Sequence, residues 1–293
     1  MKNVIALGTF DGVHLGHKAI IQGAKALAAR LGAEPVIYTF AGHPLALFHR
    51  QPSLLMGEEE RIAALKATGC AVTADAFTKE LASTEPEGFI KMLLSRFSIA
   101  GAVAGFNYTF GYRGAGNTEL LCKLGQRHGF AVEVVPPVLF EGKPVSSTRV
   151  RACVESGDVA AAGAMLGGRY ALEGTVVGNR HIGRTLGCPT ANLAGWEGRA
   201  IPAAGVYATM AITGGMAMPA VTNVGSNPTV NGAALTIETH ILDYDGDLYG
   251  QPLRVEFVER LRGEIRFPDR CALAAQMARD GQNAREILKK GTY

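Results

Sequence analysis

Two histidines three positions apart, His14 and His17, close the stretch GTFDGVHLGH, Gly8 to His17. A short apolar run, Val4 to Leu7, precedes it, and a segment with helical periodicity follows. Ile20, Ala24, Leu27, Ala28 and Leu31 share one face, and Gly32 sits where a helix would stop. The stretch therefore reads as a strand–turn–helix corner with both imidazoles at or near the first helical turn. Such a corner presents unpaired backbone N–H groups and the positive end of the helix dipole, which together favour a bound phosphate. Gly16, between the imidazoles, lets that anion come close to the backbone. Taken alone, Asp11-Gly12 also reads as a turn pair. His14 and His17 also read as part of a metal site, although no third ligand follows at a recognisable spacing.

Two further stretches carry chemistry. In GNRHIGRTLGCPTANL, Gly178 to Leu193, the glycines Gly178, Gly183 and Gly187 permit a tight-turning loop, and Arg184 suits a phosphate. Pro189-Thr190-Ala191-Asn192 then sets the Thr190 hydroxyl and the Asn192 amide on the same side of an extended chain. Oxygen donors of this kind suit Mg²⁺ and the phosphate oxygens it carries. By itself the Pro-Thr-Ala-Asn run is a turn. In VSSTRVR, Val145 to Arg151, Ser147 and Thr148 offer hydroxyls and backbone donors at a helix N-terminus, with Arg151 about one turn on. That is a cradle for β- and γ-phosphates, or, read alone, a plain N-cap.

The elements that must position these residues fall into two textures. From Val4 to about Val135 strands and helices alternate: a strand at Pro35–Phe40, a loop through His43-Pro44, and a helix at Glu58–Thr68 closed by Gly69. Thr84 and Glu87 read as a capping box for a helix with Phe89, Ile90, Leu93, Leu94 and Phe97 inward. A strand at Ile99–Gly105, a helix at Thr118–Arg127 and a strand at Ala131–Val135 follow. This alternation predicts an α/β domain with a parallel sheet and helices on both faces. Ligands then belong at the carboxyl ends of strands, where Gly8–His17, Thr39–Pro44 and Phe106–Arg113 fall.

An Ala-rich helix over Asp158–Gly168 marks the change of texture, and the domains are set at residues 1–165 and 166–293. Strand runs then dominate: YALEGTVVG, GVYATMAIT, AMPAVTNVG, LTIETHIL and LRVEFVERL. They predict a small antiparallel β-barrel or sandwich. A terminal helix over Asp269–Arg279, broken at Asp280-Gly281 and resuming to Leu288, completes the chain.

At 293 residues the chain suits two ordinary domains. A net charge of +3 without a Lys/Arg block gives no nucleic-acid footprint. The five cysteines, Cys70, Cys122, Cys153, Cys188 and Cys271, are scattered without a C-x-x-C, as buried free thiols in a reducing cytosol would be. There is no charged-then-apolar leader and no apolar run of bilayer length, so a soluble cytoplasmic protein without a membrane partner is expected. Oligomeric state is not legible.

Together the motifs resemble the prokaryotic bifunctional riboflavin kinase/FAD synthetase family. GTFDGVHLGH is similar to the HxGH of its adenylyltransferase half. TFAGHPLALF, Thr39 to Phe48, is similar to its TFxPHP loop, with Gly42 where a proline is usual. AGFNYTFGYRGAG, Ala104 to Gly116, resembles its G-x-(D/N)-F-x-F-G-x-x-R-x-G segment, with Tyr108 at an aromatic position, and VSSTRVR its I/V-S-S-T-x-x-R. GNRHIGRTLGCPTANL resembles the GxxxGRxLGxPTAN signature of riboflavin kinases. NVGSNPTV, Asn223 to Val230, resembles NVGxNPTF with Val230 for the usual Phe, and ETHILDYDGDLYG, Glu238 to Gly250, resembles ExHIxDFxxDLYG.

The resemblance implies a Rossmann-like nucleotidyltransferase domain followed by a kinase barrel with a terminal helix. ATP, riboflavin, FMN and FAD would be the small-molecule partners and Mg²⁺ the cofactor. The barrel would phosphorylate riboflavin to FMN, with Thr190 and Asn192 holding Mg–ATP, Gly178, Gly183 and Arg184 on the nucleotide, and Glu238 as base. The first domain would adenylylate FMN to FAD with release of pyrophosphate. His14 and His17 would stabilise charge on the α-phosphate. Gly8, Phe10, Asp11, Gly16, Asn107, Ser147, Thr148 and Arg151 would bind the nucleotide. By itself Glu238, on one strand face with His240, is a solvated carboxylate. Two other readings stay open: an enzyme keeping one of the two activities, and a non-catalytic flavin- or nucleotide-binding regulator on the same scaffold.

Overall fold

Alternate residues of the first apolar run face opposite sides of a sheet, and this sets the plan of the first half. The computed structural model describes residues 1–49, 52–178, 190–229 and 232–290. They divide into two units, Met1–Ser147 and Thr148–Tyr293. In the first unit β1 (Asn3–Leu7), β2 (Glu34–Ala41), β3 (Ala71–Ala76), β4 (Ile99–Gly105) and β5 (Ala131–Val135) form one parallel sheet in the order β3-β2-β1-β4-β5. The connections carry α1 (Leu15–Leu31), α2 (Glu58–Lys66), the short α3 (Lys79–Ala82), α4 (Pro86–Arg96) and α5 (Thr118–His128). Val4 and Ala6 pack with Ile21, Leu27, Ile37 and Val103, whereas Ile5 and Leu7 pack with Tyr38, Phe89, Leu93 and Leu124. The sheet is thus buried on both faces, as parallel sheets are. The strand order reverses between β1 and β4, which opens a crevice at their carboxyl ends.

Two expectations need correction here, and one strand was not anticipated. Leu31 is 39% exposed, because α1 ends there and Gly32 turns the chain away with φ +59. Thr84 and Glu87 form no capping box. Pro86 takes the first position of α4, Glu85 becomes the N-cap without a side-chain bond, and Thr84 Oγ1 donates instead to the Glu80 carbonyl at 2.8 Å. Proline at that position supplies a fixed φ suited to a helix start, which displaces the cap by one residue. The edge strand β3, with sequence AVTADA, has no apolar alternation and had no sequence signal.

A small hairpin, β6 (Leu139–Phe140) with β7 (Lys143–Pro144), leads to α6 (Ser147–Ser156) and α7 (Val159–Leu166). In the second unit β8 (Tyr170–Val177), β9 (Ala191–Ala194), β10 (Gly205–Thr213), β11 (Met216–Thr229), β12 (Gly232–Ile241) and β13 (Pro252–Arg262) close into a barrel in the order β10-β11-β12-β9-β8-β13. Its neighbours are antiparallel throughout. Ala208 faces outward, against Ala284 and Leu288 of the terminal helix α8 (Arg270–Lys290). Thr209, the next residue, therefore faces inward. Its hydroxyl meets that of Thr222 at 2.8 Å, which meets that of Thr239 at 3.0 Å, so three buried polar groups satisfy one another.

The predicted break in the terminal helix does not occur. Asp280 is buried and accepts from Arg262 Nη2 at 2.7 Å and from Gln276 Nε2 at 2.8 Å, while Gly281 lies over Leu242. These tertiary contacts hold as helix an Asp-Gly pair that is locally a breaker. Among the described residues Cys70, Cys122, Cys153 and Cys271 are free thiols, as expected, but only Cys70 is buried; Cys122 and Cys153 are partly buried, and Cys271, in the first turn of the terminal helix, is exposed. No helix among them is long and apolar enough to cross a membrane.

Candidate functional site

The turn between β1 and α1 winds through an unusual backbone. Phe10 has φ +56, Gly12 +79 and Val13 +41. A bulky or β-branched residue at positive φ is strained, and such strain persists only where the surroundings over-determine it. Here they do. The Phe10 ring is fully buried and lies edge-on to the His17 ring, with centroids 5.2 Å apart. The Asp11 carboxylate accepts from the backbone N–H of Leu55 at 3.0 Å and of Met56 at 3.4 Å, and the Asp11 carbonyl accepts from Ser147 Oγ at 2.9 Å. Gly8 allows the Phe10 ring to lie beneath the strand end, since a Cβ there would stand 3.0 Å from Phe10 Cζ.

His14 is the N-cap of α1, and its Nδ1 accepts from the His17 N–H at 3.3 Å. That bond assigns the proton of the neutral ring to Nε2. The two imidazoles stack with centroids 3.6 Å apart and planes at 15°. Burial lowers the His14 pKa to about 4. His17 falls well below its ordinary range, through burial first, then the neighbouring His14 and the Arg61 guanidinium. Both rings are therefore neutral at neutral pH. The first turn of α1 carries no acidic residue, so the helix end stays attractive to anions. A Cβ on Gly16 would approach His14 Cε1 to 3.1 Å, so glycine keeps the ring in place.

Of the other predicted residues, Asn107 is exposed in the turn after β4, across the crevice mouth from the β1 turn. Ser147, Thr148 and Arg151 share α6, with Thr148 exposed and Arg151 partly buried. Phe10 and Asp11 support the site with ring and carboxylate both turned into the protein.

In the barrel, register does what spacing does not. β12 pairs with β9 so that Glu238 lies directly opposite Asn192, and with β11 so that Glu238 lies opposite Asn223. Directly opposed residues of antiparallel strands project to the same face. Burial alternates along β12, with Ile237, Thr239 and Ile241 buried and Glu238 and His240 half-buried. Asn192, Glu238 and Asn223 thus form one row on the outer face of the barrel, with Thr190 just before it. Gly178 is exposed at the end of β8. Gly183 and Arg184 lie outside the described residues, as do Gly187, Cys188, Pro189 and Val230.

Residues 1–149 match the family model for FAD synthetase, and residues 166–288 match that for riboflavin kinase. The bifunctional riboflavin kinase/FMN adenylyltransferase of Listeria monocytogenes is 32% identical, over 99% of this chain and 94% of its own. This chain belongs to the bifunctional riboflavin kinase/FMN adenylyltransferase family. The Escherichia coli K12 member is 33% identical over 97% of this chain and 92% of its own. A solved structure named as a macrolide-efflux protein from Streptococcus pneumoniae superposes with a TM-score of 0.89 at 30% identity, covering 97% of this chain and 94% of that one.

Set against the family pattern, Gly42 is more than a side-chain change. Its φ is +70, a value the proline ring excludes, and its N–H donates to Glu58 Oε2 at 2.9 Å. The loop after β2 is therefore held by α2 and not by a proline. Tyr108 stacks on Phe110 with centroids 5.7 Å apart and fills its aromatic position.

One residue beside the imidazoles had no sequence signal. Arg61, in α2, is only 5% exposed and donates to the carbonyls of Thr9 and Phe40 and to Thr39 Oγ1. In the run EEERIAALK it reads as one more solvent-facing charge.

Proposed function

We propose that this chain makes both FMN and FAD, with the two steps divided at residues 165/166 between an adenylyltransferase domain and a riboflavin kinase domain. The observation that carries the reading is convergence. Residues far apart in sequence meet in pairs suited to phosphate chemistry, most clearly Asn192 opposite Glu238 across β9 and β12.

In the barrel, the 5′-hydroxyl of riboflavin attacks the γ-phosphorus of ATP, Glu238 accepts the hydroxyl proton and ADP departs. Thr190 and Asn192 offer the hydroxyl and amide oxygens that would hold Mg²⁺. Among the described residues there is no cluster of three His, Cys, Asp or Glu. The Thr190 hydroxyl and Asn192 amide oxygens are hard donors of the kind Mg²⁺ takes alongside water and phosphate. When bound, Mg²⁺ supplies charge neutralisation on the phosphate oxygens. Gly178, Gly183 and Arg184 are assigned to the same nucleotide.

In the first domain a phosphate oxygen of FMN attacks the α-phosphorus of ATP and pyrophosphate leaves. The nucleophile is already an anion, so no strong base is needed. Neutral His14 offers Nε2–H to a phosphoryl oxygen, and His17 lies stacked against it. Together with the N-terminus of α1 they form a preorganised donor set for developing charge. Asn107 is assigned to the nucleotide, and Ser147, Thr148 and Arg151 to the departing phosphates. Gly8, Phe10, Asp11 and Gly16 shape the turn. The free thiols suit a reducing cytoplasm, where we place the enzyme, and no macromolecular partner is needed for either step.

The test separates the steps in one folded chain. His17→Ala is expected to lower FAD formation from FMN at least about 10²-fold and to leave FMN formation intact, and Glu238→Ala the reverse. Both rates falling together, or neither falling more than a few-fold, would refute the division.

A further inference from the structure

Arg61 combines burial with charge. At 5% exposure it is among the few ionisable side chains this deeply placed, and its hydrogen-bond partners are all neutral. Nη1 donates to the Thr9 carbonyl at 3.0 Å and to Thr39 Oγ1 at 2.9 Å; Nη2 donates to the Phe40 carbonyl at 2.7 Å. Thr39 Oγ1 in turn donates to the Thr9 carbonyl at 3.2 Å. One planar fork therefore joins the end of β1 to the end of β2, directly under the turn that carries His14 and His17. Glu58 and Asp11 are near enough to favour its charge, yet the Asp11 carboxylate is already engaged by the Leu55 and Met56 N–H groups.

A cation buried without a contacting carboxylate is costly to a fold. It is better matched once a polyanion arrives, because attraction across a dry protein floor is weakly screened. We propose that Arg61 is a positioning residue of the adenylyltransferase site, fixing the turn after β1 to the loop after β2 and supplying standing positive charge beneath the bound triphosphate. This rests on the reading of the first domain given above. The arginine fork matters as much as the charge, since a lysine ammonium cannot span three acceptors in one plane. The guanidinium also disfavours a proton on His17, in line with the depressed basicity of that ring.

The test uses the full chain with Arg61→Gln and Arg61→Lys, folding being checked by circular dichroism. FMN formation serves as an internal control. Three quantities are read: ATP affinity at the first domain by calorimetry in an Asn192→Ala background that weakens Mg–ATP at the barrel, FAD turnover from FMN without that background, and the His17 titration by imidazole NMR. Arg61→Gln is expected to weaken ATP at least about tenfold, to slow turnover by a similar factor, and to raise the His17 pKa. Arg61→Lys is expected to stay within about threefold of wild type in ATP affinity while turnover falls about tenfold. Unchanged affinity and an unchanged His17 titration in folded Arg61→Gln would overturn the proposal. Should that variant not fold, unchanged turnover in Arg61→Lys would do so. Failure of the wild-type chain to bind ATP or form FAD would instead strike the reading of the domain itself.

Discussion

The neutral imidazole at the start of α1 makes the first domain sensitive to acid in a way that can be isolated. His14 has a folded pKa of about 4, against an ordinary histidine value of 6.5, because burial disfavours its charged form. The sign follows from proton counting. Above pH 6.5 neither state holds the proton and His14 contributes no pH dependence. Below it the unfolded chain takes up a proton that the folded ring refuses, so stability falls until the pH nears the folded pKa. At about pH 4.5 an unfolded imidazole is almost wholly protonated and the folded one only about one quarter, which corresponds to about 2.5 kcal/mol lost from this group alone. His14→Asn removes the titration and keeps an N-cap acceptor at the same place on the helix. Hydrogen exchange of the Leu15–Leu31 segment, corrected for intrinsic rates, gives the opening free energy of α1 at about pH 7 and about pH 4.5. The variant is expected to retain about 2 kcal/mol more of its pH 7 stability than the wild type does. His17 titrates in both proteins with the same sign and is depressed first by burial, which the substitution leaves in place, so the difference reports mainly His14. Equal losses in the two proteins would show that a buried neutral His14 is not what acid attacks.

Further expectations concern both halves. Gly16→Ala must push the His14 ring by a few tenths of an ångström, so FAD formation should drop about tenfold while urea stability changes by less than about 1 kcal/mol. Asn192→Ala should raise the Mg²⁺ concentration needed for half-maximal FMN formation at least about tenfold and leave adenylylation of supplied FMN unaffected, as separated product assays would read. Asp280→Ala leaves Arg262 without its carboxylate partner at the middle of α8 and should destabilise the second unit by about 3 kcal/mol. Fluorescence of the chain's single tryptophan, Trp196 in that unit, follows its unfolding; a loss below about 1 kcal/mol would show that the pair is not anchoring the helix.

What sequence reading reached and missed divides along physical lines. The HxGH corner was legible because its chemistry is local: a strand, a glycine-rich turn and a helix start lie within one short stretch. Gly12 and Gly32 even announce their positive φ, whereas Phe10 and Val13 adopt it without notice, forced by tertiary contacts. The barrel was legible as strands but not as neighbours. That Glu238 stands opposite Asn192 follows from how the sheet closes, and strand spacing carries no record of closure. Arg61 and Asp280 share a different cause. Periodicity assigns a charged residue to the solvent, and the prior is sound because burying one is costly unless it is partnered. Partners that come from other elements are invisible in the local pattern. So a buried arginine hides in EEERIAALK and a buried aspartate masquerades as a helix break. The two then differ in consequence. Asp280 meets a full counter-charge in Arg262 and simply fastens a helix, while Arg61 meets only neutral oxygens and keeps its charge available. A buried ion whose hydrogen bonds all end on neutral oxygens keeps more of its field for an incoming anion than one closed into a contact pair.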